Sequence, residues 1–364
     1  MLALFSFFLF DEDLLWQNAM LLVCHWRQNS LFAVLRSLMK NSLYQRCLAD
    51  GRLFAVISAA GFSLKAVFVK LAYAAGPVDA VTLLAMRMGL ALPLFLWLLW
   101  FSRGNDGESL GIGGVLRVLL LGMLGYYLAS LFDFYGLAYI SAGLERLILF
   151  TYPTLVLLLQ AAVMRERPSR RTLLAMGICY FGLGIAFVHD VGVAGAGDQV
   201  LLGAAWVFGS AVTYALYYFG TGVMVRRIGS MRLSGLAGVA SSLMVLGHFA
   251  VVGGSFAEMA SLSTGVWLYA ALMAVCSTVL PIYWMALAVQ RLGATQTAAI
   301  GNLGPVLTIF ASWALINEEI SGYQMAGLAL VMFGVSQLKP AAGNTLFRRV
   351  SGFLRGGRRA AREG

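Results

Sequence analysis

Among the charged residues inside otherwise apolar runs of this chain are Lys65, Arg87, Asp133, Glu145 and Arg146. A charge at the centre of a membrane-crossing helix costs about 2.5–3.5 kcal/mol on insertion scales, so each of them needs a reason. Lys65, Arg87 and Asp133 carry the chemistry to bind a carboxylate or relay protons in a polar cavity. The alternative is structural: the two cations snorkel, or they pair with Asp133. Glu145 falls in the first turn of a run, where a carboxylate complements the positive end of the helix dipole. Arg146 beside it either pairs with Glu145 or Asp133 or guards the outer mouth.

Two prolines, Pro153 and Pro305, occupy corresponding places in two similar runs, and Gly301, Asn302 and Gly304 cluster around the second. Matching interruptions in two repeats are the best sequence pointer to a transport site, and they make both prolines candidate hinges. Asn302 is a candidate buried amide, for substrate or for a neighbouring helix. Tyr214, Tyr283 and Trp284 are the deepest of a larger set of aromatics that includes Tyr126, Tyr127, Tyr135, Tyr217 and Tyr218. They are placed either to stack on a substrate or to fill the core and interfacial belt. The short glycine series Gly177, Gly182 and Gly184 suits close helix packing.

Catalytic and metal chemistry find no support. The four cysteines (Cys24, Cys47, Cys179, Cys276) and three histidines (His25, His189, His248) are scattered, with no CxxC or HExxH spacing. The chain has no GxxxxGK[ST] loop, so it supplies no ATPase of its own. A membrane-embedded enzyme would need clustered His, Cys or acids, so the expectation is neither enzyme nor cofactor. A channel or non-transporting receptor is the alternative to a carrier.

The elements that must position these residues follow from composition. Of 364 residues, 60% are hydrophobic and 12% charged. That is half the charge of an ordinary soluble domain, too little to cover a water-facing surface. The chain reads as an all-α, polytopic membrane protein. Apolar runs fall at 53–74, 79–101, 116–138, 144–164, 172–189, 201–223, 233–254, 265–288, 294–316 and 322–338, ten spans in all. The net charge of +10 is spread between the runs, as orientation signals are, and not gathered for nucleic acid. The odd-numbered connections carry no Lys or Arg, whereas the even-numbered ones hold Arg103 and Arg117, then Arg165, Arg167, Arg170 and Arg171, then Arg226, Arg227 and Arg232, then Arg291. Both termini are therefore expected in the cytoplasm. By helix rise, Lys65 then lies about 14 Å from the outer end of its span and Asp133 about 8 Å from the same end of its own. The two are within side-chain reach if their helices face.

The chain also repeats itself. Leu137-Ala138 matches Leu287-Ala288, Pro153 matches Pro305, Glu166 matches Glu318, and Gly177 and Gly184 match Gly327 and Gly334, at offsets of 150–152 residues. Two halves of five helices each must enter the membrane with opposite orientation, the inverted-repeat design of alternating-access transporters. The halves run over 52–190 and 201–338, followed by a basic cytoplasmic tail at 339–364. Residues 1–51 form an N-terminal extension that fits neither a span nor a signal peptide. It reads as amphipathic or unstructured, or as a start assigned too early, with Met39 the true first residue.

These stretches resemble the drug/metabolite transporter superfamily, EamA type. The resemblance is carried by Val81-Thr82-Leu83-Leu84-Ala85-Met86-Arg87, by the stretch from Gly136 to Pro153 (GLAYISAGLERLILFTYP), by Glu166-Arg167-Pro168 and by Asn317-Glu318-Glu319, within roughly residues 52–338. It implies ten helices in two EamA repeats, an inner-membrane location, and export or exchange of small metabolites such as amino acids. The partners expected are a small-molecule substrate and the lipid bilayer, with no nucleic acid; a homodimer is compatible with the reading.

Overall fold

The computed structural model describes residues 51–102, 110–164, 168–194, 197–292, 300–301 and 303–337. The N-terminal extension, the basic tail, Glu166 and Asn302 lie outside the described residues. Those described form helices, turns and short connections, with no strand among them.

Eight helices are long and apolar enough to cross a bilayer: Gly51–Ala75, Ala80–Phe101, Ile112–Leu137, Ala142–Val163, Arg170–Val188, Asp198–Thr221, Met231–Val251 and Thr264–Met285. We refer to these as the first to eighth spans. The runs expected as ninth and tenth contain shorter helices, Gly304–Ile316 (13 residues) and Gly322–Gln337 (16 residues).

The helix starts are set by local chemistry. Asp79 precedes the second span, and its Oδ2 accepts from the backbone N–H groups of Val81 and Thr82 at 3.0 Å. Ser141 and Ser263 do the same for the fourth and eighth spans, accepting from Leu144 and Val266. Each satisfies an N–H that has no partner within its own helix. Asn317 ends the Gly304–Ile316 helix in a left-handed conformation (φ 53°), a place that tolerates Asn better than most residues.

Packing joins the halves helix by helix. The first span lies against the eighth span and the Gly304–Ile316 helix, the second against the seventh and eighth, and the third against the sixth. The fifth span packs on the Gly322–Gln337 helix through facing glycines. A Cβ on Gly327 would stand 2.6 Å from the carbonyl oxygen of Gly182, and one on Gly334 would stand 2.7 Å from that of Ala175. Gly177 and Gly184 have open space where a Cβ would go, so within the glycine series Gly182 makes the close approach. Gly327→Leu is expected to push these helices apart, because the obstacle is backbone. Overpacking of this kind costs about 1–3 kcal/mol or more. The check is a lower thermal midpoint of the purified protein in detergent, with Gly184→Leu as the unchanged control.

Two spans are not regular. The third contains a π-helical turn at Met123–Leu128 and the eighth contains one at Val275–Val279. The two turns begin 152 residues apart, the same offset that relates the halves. In the eighth span Pro281 follows at once. It can donate no backbone N–H, which favours a widened turn there. The third span has no such proline.

Candidate functional site

Lys65 and Asp133 meet. Lys65 Nζ lies 2.7 Å from Asp133 Oδ2, with Asp133 fully buried and the lysine side chain 15% exposed. The pair joins the first span to the third. Burial of a carboxylate at zero exposure is tolerated when a cation accompanies it, and the lysine stem reaches along the apolar helix to supply one.

Glu145 and Arg146 belong to the same cluster. Glu145 is fully buried, and neither of its carboxyl oxygens has a hydrogen-bond partner among the described residues. Arg146 Nε is 3.8 Å from Glu145 Oε2, but its hydrogen bonds go elsewhere. It donates from Nε to Thr308 Oγ1 at 3.0 Å and from a terminal nitrogen to the Phe62 carbonyl at 2.8 Å. Thr308 sits in the Gly304–Ile316 helix, so Arg146 ties the fourth span to the first and to the other half of the chain. Ser63 completes this seam, donating to the Gly304 carbonyl at 2.9 Å.

Arg87 makes a second link between the halves. It is 5% exposed. Its Nε donates to Thr278 Oγ1 at 2.9 Å, and a terminal nitrogen reaches Ser130 Oγ at 3.4 Å. Its guanidinium lies over the Phe134 ring, 5.5 Å from the centroid. Thr278 is inside the π-turn of the eighth span, and Ser130 follows the π-turn of the third. Thr278 in turn donates to the Met273 carbonyl at 2.8 Å, five residues back.

The hinge candidates sit at helix interruptions. The fourth span breaks at Phe150–Thr151 and restarts at Tyr152, with Pro153 in the new first turn. Pro305 occupies the first turn of the Gly304–Ile316 helix. Proline suits a first turn because its missing N–H would have no partner there.

The aromatic candidates divide. Tyr214 stacks within a tyrosine cluster beside the break, with Tyr152, Tyr217 and Tyr218 at ring-centroid distances of 4.9–5.9 Å. Tyr126 joins it by a hydroxyl contact of 3.3 Å to Tyr217. Tyr283 packs half-buried on a core cluster drawn from both halves, and Trp284 is also half-buried.

Several participants were not evident from sequence: Ser63, Ser130, Thr278, Thr308 and Glu318. Glu318 accepts from the Ala142 N–H at 3.1 and 3.2 Å, capping the fourth span from the opposite half, and lies 4.0 Å from Lys70 Nζ. Its place in the repeat opposite Glu166 was the available signal. The hydroxyl residues had none, because Ser and Thr are common in membrane helices as simple packing residues.

Comparisons with known proteins agree with this architecture. A solved crystal structure matches with a TM-score of 0.55 at 16% identity, covering 82% of this chain and 98% of its own. The uncharacterized transporter YcbK of Bacillus subtilis is 29% identical over 299 residues, 80% of this chain and 93% of YcbK. The uncharacterized transporter YyaM of the same organism is 26% identical over 289 residues, 76% of this chain and 90% of YyaM. The model of the EamA-like transporter family matches twice, at residues 50–188 and 201–338. With both halves of a multi-pass, all-helical chain matched in this way, the protein belongs to the EamA-like transporter family.

Proposed function

We propose that the protein is a secondary transporter of the inner membrane that exports a small polar metabolite, an amino acid or related compound. Its two repeats rock about a site between them and expose that site to each side in turn. The observation that carries this reading is the charged cluster of Lys65, Asp133, Glu145 and Arg146, enclosed among apolar helices and stitched by Arg146 to Thr308 of the second half. Charges of both signs suit a zwitterion, whose carboxylate and ammonium groups each find a complement. Helix breaks at Pro153 and Pro305 free backbone groups beside such a site.

The test is counterflow in proteoliposomes with a panel of radiolabelled amino acids and related metabolites. Saturable counterflow of at least one of them is expected, and its absence across the panel overturns the substrate class. The orientation in this proposal places both termini in the cytoplasm. A reporter active only outside the cytoplasm, fused after Gly364, stays silent in that arrangement; strong activity overturns it.

A further inference from the structure

The first and fourth spans meet the Gly304–Ile316 helix along a seam with polar ties at successive levels. Ser63 donates to the Gly304 carbonyl at the deep end, and Arg146 donates to Thr308 one turn further out. Beyond the end of the helix, Glu318 accepts from the Ala142 N–H with both carboxylate oxygens, at 3.1 and 3.2 Å. Ala142 opens the fourth span, so its N–H is among those that no carbonyl of its own helix can reach. Ser141 Oγ takes the Leu144 N–H. The start of the fourth span is thus capped partly by its own half and partly by the other.

Asn317 puts Glu318 in this place. Its left-handed turn ends the helix and folds the chain back, so that the Glu318 N–H donates to the Ser312 carbonyl at 3.3 Å. The carboxylate then lies at the positive end of the fourth span's dipole, where an anion is favoured. Lys70 Nζ of the first span is 4.0 Å from it, and the two side chains are 27% and 23% exposed. This outermost tie is therefore wet, and its ion pair is weak. The seam beneath it is dry. Thr308 and Ser312 stand one turn apart on the same helix face, and both are at most 3% exposed. A separate tie joins the halves near the other end of the first span, where Ser58 donates to the Pro281 carbonyl at 2.7 Å.

We propose that Glu318 is an outer latch between the two repeats: its bond to Ala142 holds them together while the site is shut from outside, and release of that bond begins the outward opening. The released groups are not stranded. Lys70 stays beside the carboxylate, and water at the rim takes over the Ala142 N–H. The latch therefore opens at small cost and biases the balance between closed and open forms, while the dry ties beneath it part only after it has let go. This reading rests on the transporter and the orientation proposed above.

The test reads accessibility from each side of the membrane in the full-length protein and needs no substrate. Ser312→Cys puts a thiol beneath the latch with little change of volume, and Ser58→Cys puts one at the opposite tie. Each is combined with Glu318→Ala or Glu318→Gln and treated with a membrane-impermeant maleimide, in spheroplasts and in inside-out vesicles. Peptide mass spectrometry separates the introduced thiol from the native cysteines. Glu318→Ala should raise labelling of Ser312→Cys from outside about tenfold, which is about 1.4 kcal/mol in the balance of closed and open forms. Glu318→Gln keeps an acceptor oxygen for Ala142 and should give a smaller rise. Labelling of Ser58→Cys from the cytoplasmic side should not rise in either. An unchanged rate in Glu318→Ala overturns the latch. An equal rise at both thiols overturns it too, because that reports general loosening. A rise at Ser312→Cys from the cytoplasmic side alone overturns the outward placement. If no metabolite shows counterflow while the labelling behaves as expected, the substrate class fails and the latch stands.

Discussion

Lys65→Met and Asp133→Asn are each expected to abolish substrate counterflow while the protein still inserts and elutes as a folded species in detergent. Either change leaves a buried charge without its partner, and breaking a buried pair in this way costs about 3–5 kcal/mol. In the native protein the two are 2.7 Å apart with the aspartate at zero exposure, so no water stands ready to replace the lost partner. The swapped double variant, Lys65→Asp with Asp133→Lys, separates binding from scaffolding. A purely structural pair tolerates the exchange, whereas a pair that engages substrate depends on which helix bears which charge. The swap is therefore expected to be inactive. Recovered counterflow in the swap would make the pair structural, and full activity in either single variant would remove that residue from the site.

Arg87→Lys is expected to lose most transport, and Arg87→Leu to lose transport and lower the thermal midpoint. The guanidinium directs separate nitrogens to Thr278 and Ser130, which lie on opposite halves, and it lies over Phe134. An ammonium is a point donor on a flexible stem and does not hold this divergent geometry. Leucine keeps much of the volume but leaves Ser130 without that donor and Thr278 with only its bond to the Met273 carbonyl. Each buried polar group left unsatisfied costs about 1–3 kcal/mol. The comparison to make is the thermal midpoint and counterflow of both variants beside Thr278→Val. The valine variant should reproduce part of the Arg87→Leu defect, because it removes the same contact from the other side. Unchanged transport in Arg87→Lys would show that only the charge matters.

The helical, multi-pass architecture was legible because apolar runs of about 20 residues have few alternatives to crossing a membrane. The repeat was legible from Pro153 and Pro305 and the glycines that follow them. Lys65 and Asp133 could be put at similar depths because helix rise is regular. What remained hidden were properties set by neighbours. Nothing in the third span announces the π-turn at Met123–Leu128, since the apolar pattern of a π-turn differs little from that of an α-helix. Glu145 reads in sequence as a residue of an exposed first turn. Its burial follows from the arrival of the Gly304–Ile316 helix against that turn, a contact between distant parts of the chain. Thr278 and Thr308 became visible only as the partners of Arg87 and Arg146.

The bonds from Arg87 and Arg146 to the second half also bear on how the protein is made. The chain separation is 191 residues for Arg87 and Thr278, and 162 for Arg146 and Thr308. At synthesis rates of about 5–20 residues per second, about 8–40 seconds pass between the emergence of each arginine from the ribosome and that of its hydroxyl partner. Lys65 and Asp133 can neutralise one another as soon as the third span is inserted, and the two arginines have Ser130 and the Phe62 carbonyl within the first half, but their hydroxyl partners on the second half come later. Until the second half is inserted, the nascent first half thus lacks two of the hydrogen bonds that its arginines make in the finished protein.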